Sequence, residues 1–276
     1  MEYPKRVLTI AGSAAGGSAG IQADLKTFQE LDAYGMSIIT AMVGRHPKTQ
    51  KNVHLVGEEA IEAQFATAVH QVGVDGLKTG MLFTKETIEL VAGLIASSEV
   101  ETVVVDPVMI GKMNSKLLKE DAMEALKLKL IPLATIITPN VPEASQLLGG
   151  RTLTTVEDLK QAAVDLYQLG AKNILVKGGR LEGPAIDVLY DGQHVTTFKA
   201  PRINTIHTSG AGCTYSAAIT AFLTKGLEVK EAVRFSKSFV TTAIEHGFSY
   251  TEVVGPTYHA AERKYGEAHK IIVNEG

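Results

Sequence analysis

The chain has 276 residues, 45% of them hydrophobic and 21% charged, with a formal net charge of −3. This is an ordinary globular composition, and it excludes the clustered Lys and Arg of a nucleic-acid groove or a polybasic membrane surface, leaving a small molecule as the expected partner. One cysteine excludes an intrachain disulfide framework, and eight scattered histidines offer no neighbouring pair at zinc-ligand spacing.

Met1 to Arg6 lead into a short apolar run rather than a signal-peptide core or membrane span, so the expected location is the cytoplasm. Val7–Ile10 reads as a strand. It runs into a glycine-rich loop, Gly12 to Gly20, and then a helix over Ile21–Leu31. The loop lacks the Gly-Lys-Ser/Thr of a P-loop. Its glycines at 12, 16, 17 and 20 also miss the Gly-x-Gly-x-x-Gly fingerprint, although Arg45-His46 after the next strand would suit a 2′-phosphate. An NADP-dependent oxidoreductase therefore fits only loosely, and a flexible turn closing over a ligand is at least as good an account. Asp24, one turn into the helix, reads either as a dipole stabiliser worth about 0.3–1 kcal/mol or as an acceptor for a heterocycle.

Short β-branched runs then alternate with amphipathic stretches. Strands are expected at Ser37–Val43, Gly76–Lys78, Thr102–Val105, Thr135–Ile137 and Asn173–Val176. Helices are expected over Glu58–Val72, Lys85–Ser97, Ser115–Leu130, Val141–Leu148 and Thr155–Leu169. Asp187–Tyr190 and His194–Phe198 flank Asp191-Gly192, a hairpin signal. The last helices are expected over Cys213–Leu223 and Val229–His246. With no linker or repeat, the pattern predicts one α/β domain over residues 1–276, its mostly parallel sheet sandwiched by helices. In such a sheet ligands bind beyond the strands' carboxyl ends. Thr79-Gly80, Asp106-Pro107, Thr138-Pro139-Asn140 and Lys177-Gly178-Gly179 should therefore share one cleft.

The stretch from Asn204 to Thr214 brings Gly210-Ala211-Gly212-Cys213 to the start of a helix. Unpaired backbone N–H groups and the positive dipole end fit an anion there, and the same field lowers the pKa of a thiol to roughly 3.5–7.5 at a helix N-terminus. Cys213 then reads as a base acting beside a phosphate. The plain alternative is a small buried hydrophobe. Asp106 and Glu143 supply the sparse carboxylates that suit magnesium in phosphoryl transfer, and Lys177 supplies a cation for a polyphosphate; the alternatives are a helix-start acid and a strand-end turn.

In this order, Leu8 to Ser13, Ala19 to Phe28, Lys78 to Leu82, Asp106 to Met109, Thr138 to Asn140, Lys177 to Gly179 and Gly210 to Thr214 resemble the hydroxymethylpyrimidine kinase branch of the ribokinase superfamily, with its bacterial pyridoxal kinases. The resemblance implies a ribokinase-like three-layer α/β/α sandwich that phosphorylates a hydroxymethyl group on a nitrogen heterocycle, using ATP and Mg2+. It makes Cys213 the base and the amides of Gly210, Ala211 and Gly212 the anion hole. It points Asn140, Glu143, Lys177, Gly178, Gly179, Arg180, Leu181, Asp187, Gly212 and Lys237 at ATP or its metal, with Asp106 nearby and Lys112 covering the phosphates. Gly12, Ala19, Asp24, Met81 and Val108 would line the vitamin pocket, and a homodimer is implied. Three residues depart from the pattern. Ala14 stands where many relatives have aspartate, and Gly111 where pyridoxal kinases often carry a second cysteine. Arg45 replaces a glutamine that would meet an aminopyrimidine. A donor-only cation penalises the aminopyrimidine, so a B6 vitamer is expected ahead of hydroxymethylpyrimidine or its phosphate. A vitamin-binding protein without turnover is the remaining alternative.

Overall fold

The computed structural model describes residues 3–109, 118–266 and 268–276. Ten strands form one sheet. They are β1 (Lys5–Ala14), β2 (Ala33–Val43), β3 (Val53–Leu55), β4 (Gly76–Thr79), β5 (Val103–Val105), β6 (Ile136–Ile137), β7 (Ile174–Val176), β8 (Ala185–Tyr190), β9 (Val195–Ala200) and β10 (Ile272–Glu275). Their order is β10-β9-β8-β7-β6-β5-β4-β1-β2-β3. The centre, from β2 to β7, is parallel; β3 at one edge and β8, β9 and β10 at the other pair antiparallel.

Helices cover both faces. Alternation along the central strands explains why. Leu8, Ile10, Val103 and Val105 point into a core with Ile61 and Phe65 of α2 (Glu58–Ala66), Ile88 and Val91 of α3 (Lys85–Ala96), Ala122 of α4 (Glu120–Ala125), Leu147 of α5 (Val141–Leu147) and Leu159 of α6 (Val156–Leu166). Val7 and Val104 point the other way, toward Phe28 of α1 (Ile21–Glu30), Ala217 and Ile219 of α7 (Ala211–Thr224) and Val233 of α8 (Val229–Glu245). A parallel strand that is apolar on both faces requires such double cover.

The predicted elements are present, with shifted ends. The Glu58–Val72 helix widens into a π-helical turn from Thr67 and stops at Gly73, whose φ is 88°. The helix expected over Ser115–Leu130 starts at Glu120, with Lys119 extended before it and residues 115–117 outside the described residues, and it too widens, over Leu126–Leu130. The Thr155–Leu169 helix finishes in a 3-10 turn. Short β3, short β10 and the five-residue α9 (Ala261–Tyr265) carry too little periodicity to stand out and were not anticipated. Among the described residues no helix is long and apolar enough to cross a membrane.

Candidate active site

The start of α7 and the first glycine loop form one floor. Gly210 has φ 87°, and a Cβ there would stand 1.8 Å from the carbonyl oxygen of Ser18. The Ser209 hydroxyl donates to that of Ser18 at 2.9 Å, and the Gly20 amide donates to Cys213 Sγ at 3.4 Å. The Ala211 N–H is committed to the carbonyl of Thr208, so the expected anion hole of Gly210, Ala211 and Gly212 is corrected there. The amides of Gly210, Gly212 and Cys213 meet no acceptor among the described residues, the condition of a helix N-terminus ready for an anion. Gly210→Ala should clash with a backbone oxygen and deform this hole. Steady-state kinetics on the folded variant should read a loss of about 10²–10³-fold in kcat, the usual effect of disabling such a donor. Undiminished turnover would exclude the hole from the chemistry.

His259, missed in the sequence, braces the helix from behind. Its Nε2 lies 3.0 Å from the Thr214 hydroxyl, which donates to the Gly210 carbonyl. Burial holds its pKa down at about 4, so the ring is neutral at ordinary pH. The pair is 45 residues apart in sequence, and no local motif announces it.

Facing the helix start is Lys177, at the end of β7. Its ammonium would lie 3.4 Å from a Cβ placed on Gly212, and it donates to Asp106 Oδ1 at 2.9 Å. Burial opposes its charge, but Asp106 and Glu143 outweigh burial and raise its pKa. Asp106, just past β5, also accepts from Thr138 at 3.0 Å and from Ser216 at 3.3 Å. Asn140 and Glu143 form a reciprocal capping box at the start of α5, with bonds of 2.8 and 3.0 Å. Burial raises the Glu143 carboxyl to about 7, with Lys177 pulling against it and Asp106 adding to the rise.

Among the described residues no three His, Cys, Asp or Glu side chains gather as a metal cage. Asp106 and Glu143 are both already hydrogen-bonded. Such a donor set fits magnesium held mainly by phosphate oxygens and water, since that ion keeps several waters and takes few protein carboxylates.

Cys213 is partly exposed at the cleft floor. The expected depression of its pKa is reversed. Burial pushes the thiol up, Lys78 pulls it down, and Asp24 and Asp106 add to the rise. Desolvation and two carboxylates thus oppose the lowering expected at a helix start. Asp24, expected to line the vitamin pocket, is fully buried. It accepts from Lys78 at 2.7 and 2.8 Å and from Thr9 at 2.6 Å. Burial raises its pKa even so.

Asp187 and Lys237 likewise pair with each other at 2.5 Å, at side-chain exposures of 4% and 5%. Asp187 also accepts the Gly178 amide at 2.9 Å. The pair thus anchors the loop carrying Gly178, Gly179, Arg180 and Leu181. Gly178 has no room for a side chain, since a Cβ would stand 2.0 Å from the Ile186 carbonyl oxygen.

On the other side of the floor, a Cβ on Gly12 would stand 3.2 Å from Met81 Cε. Ala19 lies against Gly210, 3.6 Å from a Cβ there, and Val108 is partly exposed just beyond Asp106. Arg45 is exposed on the loop between β2 and β3 and makes no hydrogen bond or ion pair with a described residue. Gly111 and Lys112 lie outside the described residues.

The phosphomethylpyrimidine kinase family profile matches residues 15–258. The chain is 47% identical to pyridoxine kinase of Bacillus subtilis (strain 168) over 262 residues, covering 94% of this chain and 97% of the relative. It is 42% identical over 256 residues to the hydroxymethylpyrimidine/phosphomethylpyrimidine kinase of Streptomyces coelicolor, covering 93% and 94%. Pyridoxal kinase from Staphylococcus aureus, solved with AMP-PCP and pyridoxal, superposes with a TM-score of 0.92 at 40% identity, covering 100% of both chains. The fold is accordingly ribokinase-like. With a family profile over most of its length and a relative at 47% identity, the chain belongs to the phosphomethylpyrimidine kinase family.

Proposed function

We propose that this protein transfers the γ-phosphoryl group of MgATP to the 5′-hydroxymethyl group of a B6 vitamer, pyridoxal, pyridoxine or pyridoxamine. One observation carries the reading: three amides, of Gly210, Gly212 and Cys213, that meet no acceptor among the described residues sit at a helix start beside the chain's one thiol, with the Lys177 ammonium 3.4 Å from where a Cβ on Gly212 would stand. Phosphoryl transfer needs alignment and charge neutralisation more than covalent chemistry. The amides and Lys177 supply both for the moving phosphoryl group. Asp106 holds Lys177 in place, and Asn140 and Glu143 fix the start of α5 at the nucleotide side. Asp106 and Glu143 would hold magnesium together with phosphates and water, and the bound ion would supply charge neutralisation for the phosphate.

Cys213 takes the hydroxyl proton. Its resting thiol is protonated, so the thiolate is the minority form at neutral pH, and Lys78 is the buried cation that sustains it. Asp24 and Asp106 are less suited to this task because their oxygens are committed to Lys78, Thr9, Lys177, Thr138 and Ser216.

The relatives support ATP and pyridoxal as substrates, because the Staphylococcus aureus structure was solved with AMP-PCP and pyridoxal. Hydroxymethylpyrimidine or its phosphate is the second reading, favoured by the Streptomyces coelicolor relative. Arg45 orders the two, since a guanidinium cannot accept from an aminopyrimidine N–H as an amide oxygen would. A competition assay of the heterocycles with MgATP tests this. The B6 vitamers should have the higher kcat/KM, and a preference of about tenfold, or 1.4 kcal/mol, for hydroxymethylpyrimidine would invert the order. If no heterocycle stimulates ADP formation, the kinase reading falls and a vitamin-binding protein takes its place.

A further inference from the structure

Arg202 lies on the segment leading from β9 to the glycine–cysteine loop. Its guanidinium is a fork on the carbonyls of the Lys177–Gly183 turn. Nη1 donates to Gly179 at 2.9 Å, Nη2 donates to Leu181 at 2.6 Å, and Nε donates to Gly183. Among the described residues no carboxylate pairs with it. An arginine on the surface ordinarily points to water or to an acid, so one spent wholly on alternate carbonyls of a single turn is arranged for shape.

The turn is thereby held from two sides. Within the protein, Asp187, paired to Lys237, takes the Gly178 amide. Outside, Arg202 takes the next alternate carbonyls. A planar fork is needed to reach them together. A lysine ammonium is a compact point donor, and a methionine of similar reach donates nothing.

We infer that Arg202 is a positioning residue for the nucleotide: its fork sets the shape in which the Gly178–Leu181 turn receives ATP, and so governs nucleotide affinity without touching the vitamer. This rests on the reading of that turn as facing ATP. Arg202 carries no charge to the phosphoryl group. Its effect belongs in binding, not in turnover.

The test uses the full chain with Arg202→Met, Arg202→Lys and Gly179→Val. Calorimetric titration with ADP and steady-state kinetics in ATP and pyridoxal are the readouts, with a thermal midpoint as a check on folding. Arg202→Met should raise the ADP Kd and the ATP KM about tenfold or more, with kcat and the pyridoxal KM moving less than about threefold. Arg202→Lys should fall between Met and wild type, a partial rescue that a loss of general stability would not produce. If Arg202→Met fails to fold, Arg202→Lys decides by the same split between the two KM values. An unchanged ATP KM, or equal losses toward both substrates, overturns the proposal.

Gly179→Val separates the two layers. A Cβ at Gly179 meets nothing within 4 Å, so a side chain there has room, and the thermal midpoint checks that the valine variant folds. Weaker ADP binding in Gly179→Val with normal binding in the Arg202 variants leaves the turn facing the nucleotide and removes only the role of Arg202. Normal ADP binding in Gly179→Val removes the reading beneath it, and the proposal with it.

Discussion

Cys213→Ala should lower kcat by about 10²–10⁴-fold, the usual contribution of a positioned acid or base. ADP should bind this variant nearly as well as wild type, because the uncommitted amides of Gly210 and Gly212 and the ammonium of Lys177 all survive it. The pH profile gives the sharper signature. Burial raises the thiol above its ordinary value of 9.0. Below that raised pKa the thiolate fraction grows about tenfold per pH unit, so kcat/KM should climb through pH 7–9 without a plateau. In Cys213→Ala the climb should vanish along with the rate. A variant that keeps the climb would place the base elsewhere, and one that loses ADP binding would make the sulfur part of the floor instead of a proton acceptor.

The reversal at Cys213 marks where sequence reading stops. The glycine run, the lone cysteine and the apolar helix behind them are contiguous, so the anion hole at the start of α7 is visible before any fold is known. Strand ends are nearly as plain. Asp106, Asn140 and Lys177 each follow a short β-branched run, and a parallel sheet must bring such ends together. What sequence cannot carry is the sum of long-range fields. A helix N-terminus argues for a low thiol pKa, whereas burial, Asp24 and Asp106, which push the thiol up, come from elements distant in the chain. The same holds for Ala211, whose amide is lost to a carbonyl three residues back through the tightness of one turn. Asp187 and Lys237 are pointed at ATP by the family resemblance alone, with no local motif behind either residue. Their use turns out to be each other, across 50 residues. Arg202 gives no signal at all, because nothing in a sequence tells which guanidinium will bind backbone.

Asp24 and Lys78 are the second large expectation, and they join stability to chemistry. Both side chains have 0% exposure, so the pair gains nothing from water and depends on its own geometry. Removing one partner strands the other, which typically costs about 3–5 kcal/mol, whereas replacing both by apolar groups of like volume is often neutral or better. Asp24→Asn and Lys78→Met should each lower the thermal midpoint by about 10 °C, at roughly 2–4 °C per kcal/mol for a chain of this size. A double variant, Asp24→Leu with Lys78→Met, should recover much of the loss. The alkaline limb of the kinetic profile then reads what the pair does for the thiol. Asp24→Asn removes a carboxylate that raises the Cys213 pKa and keeps the cation that lowers it, so the limb should move to lower pH. Lys78→Met removes that cation, so its limb should move to higher pH, with the shift lessened as the stranded Asp24 takes up a proton. Opposite displacements would tie the buried pair to the reactive sulfur. Equal profiles with unequal midpoints would confine it to holding α1 against β4.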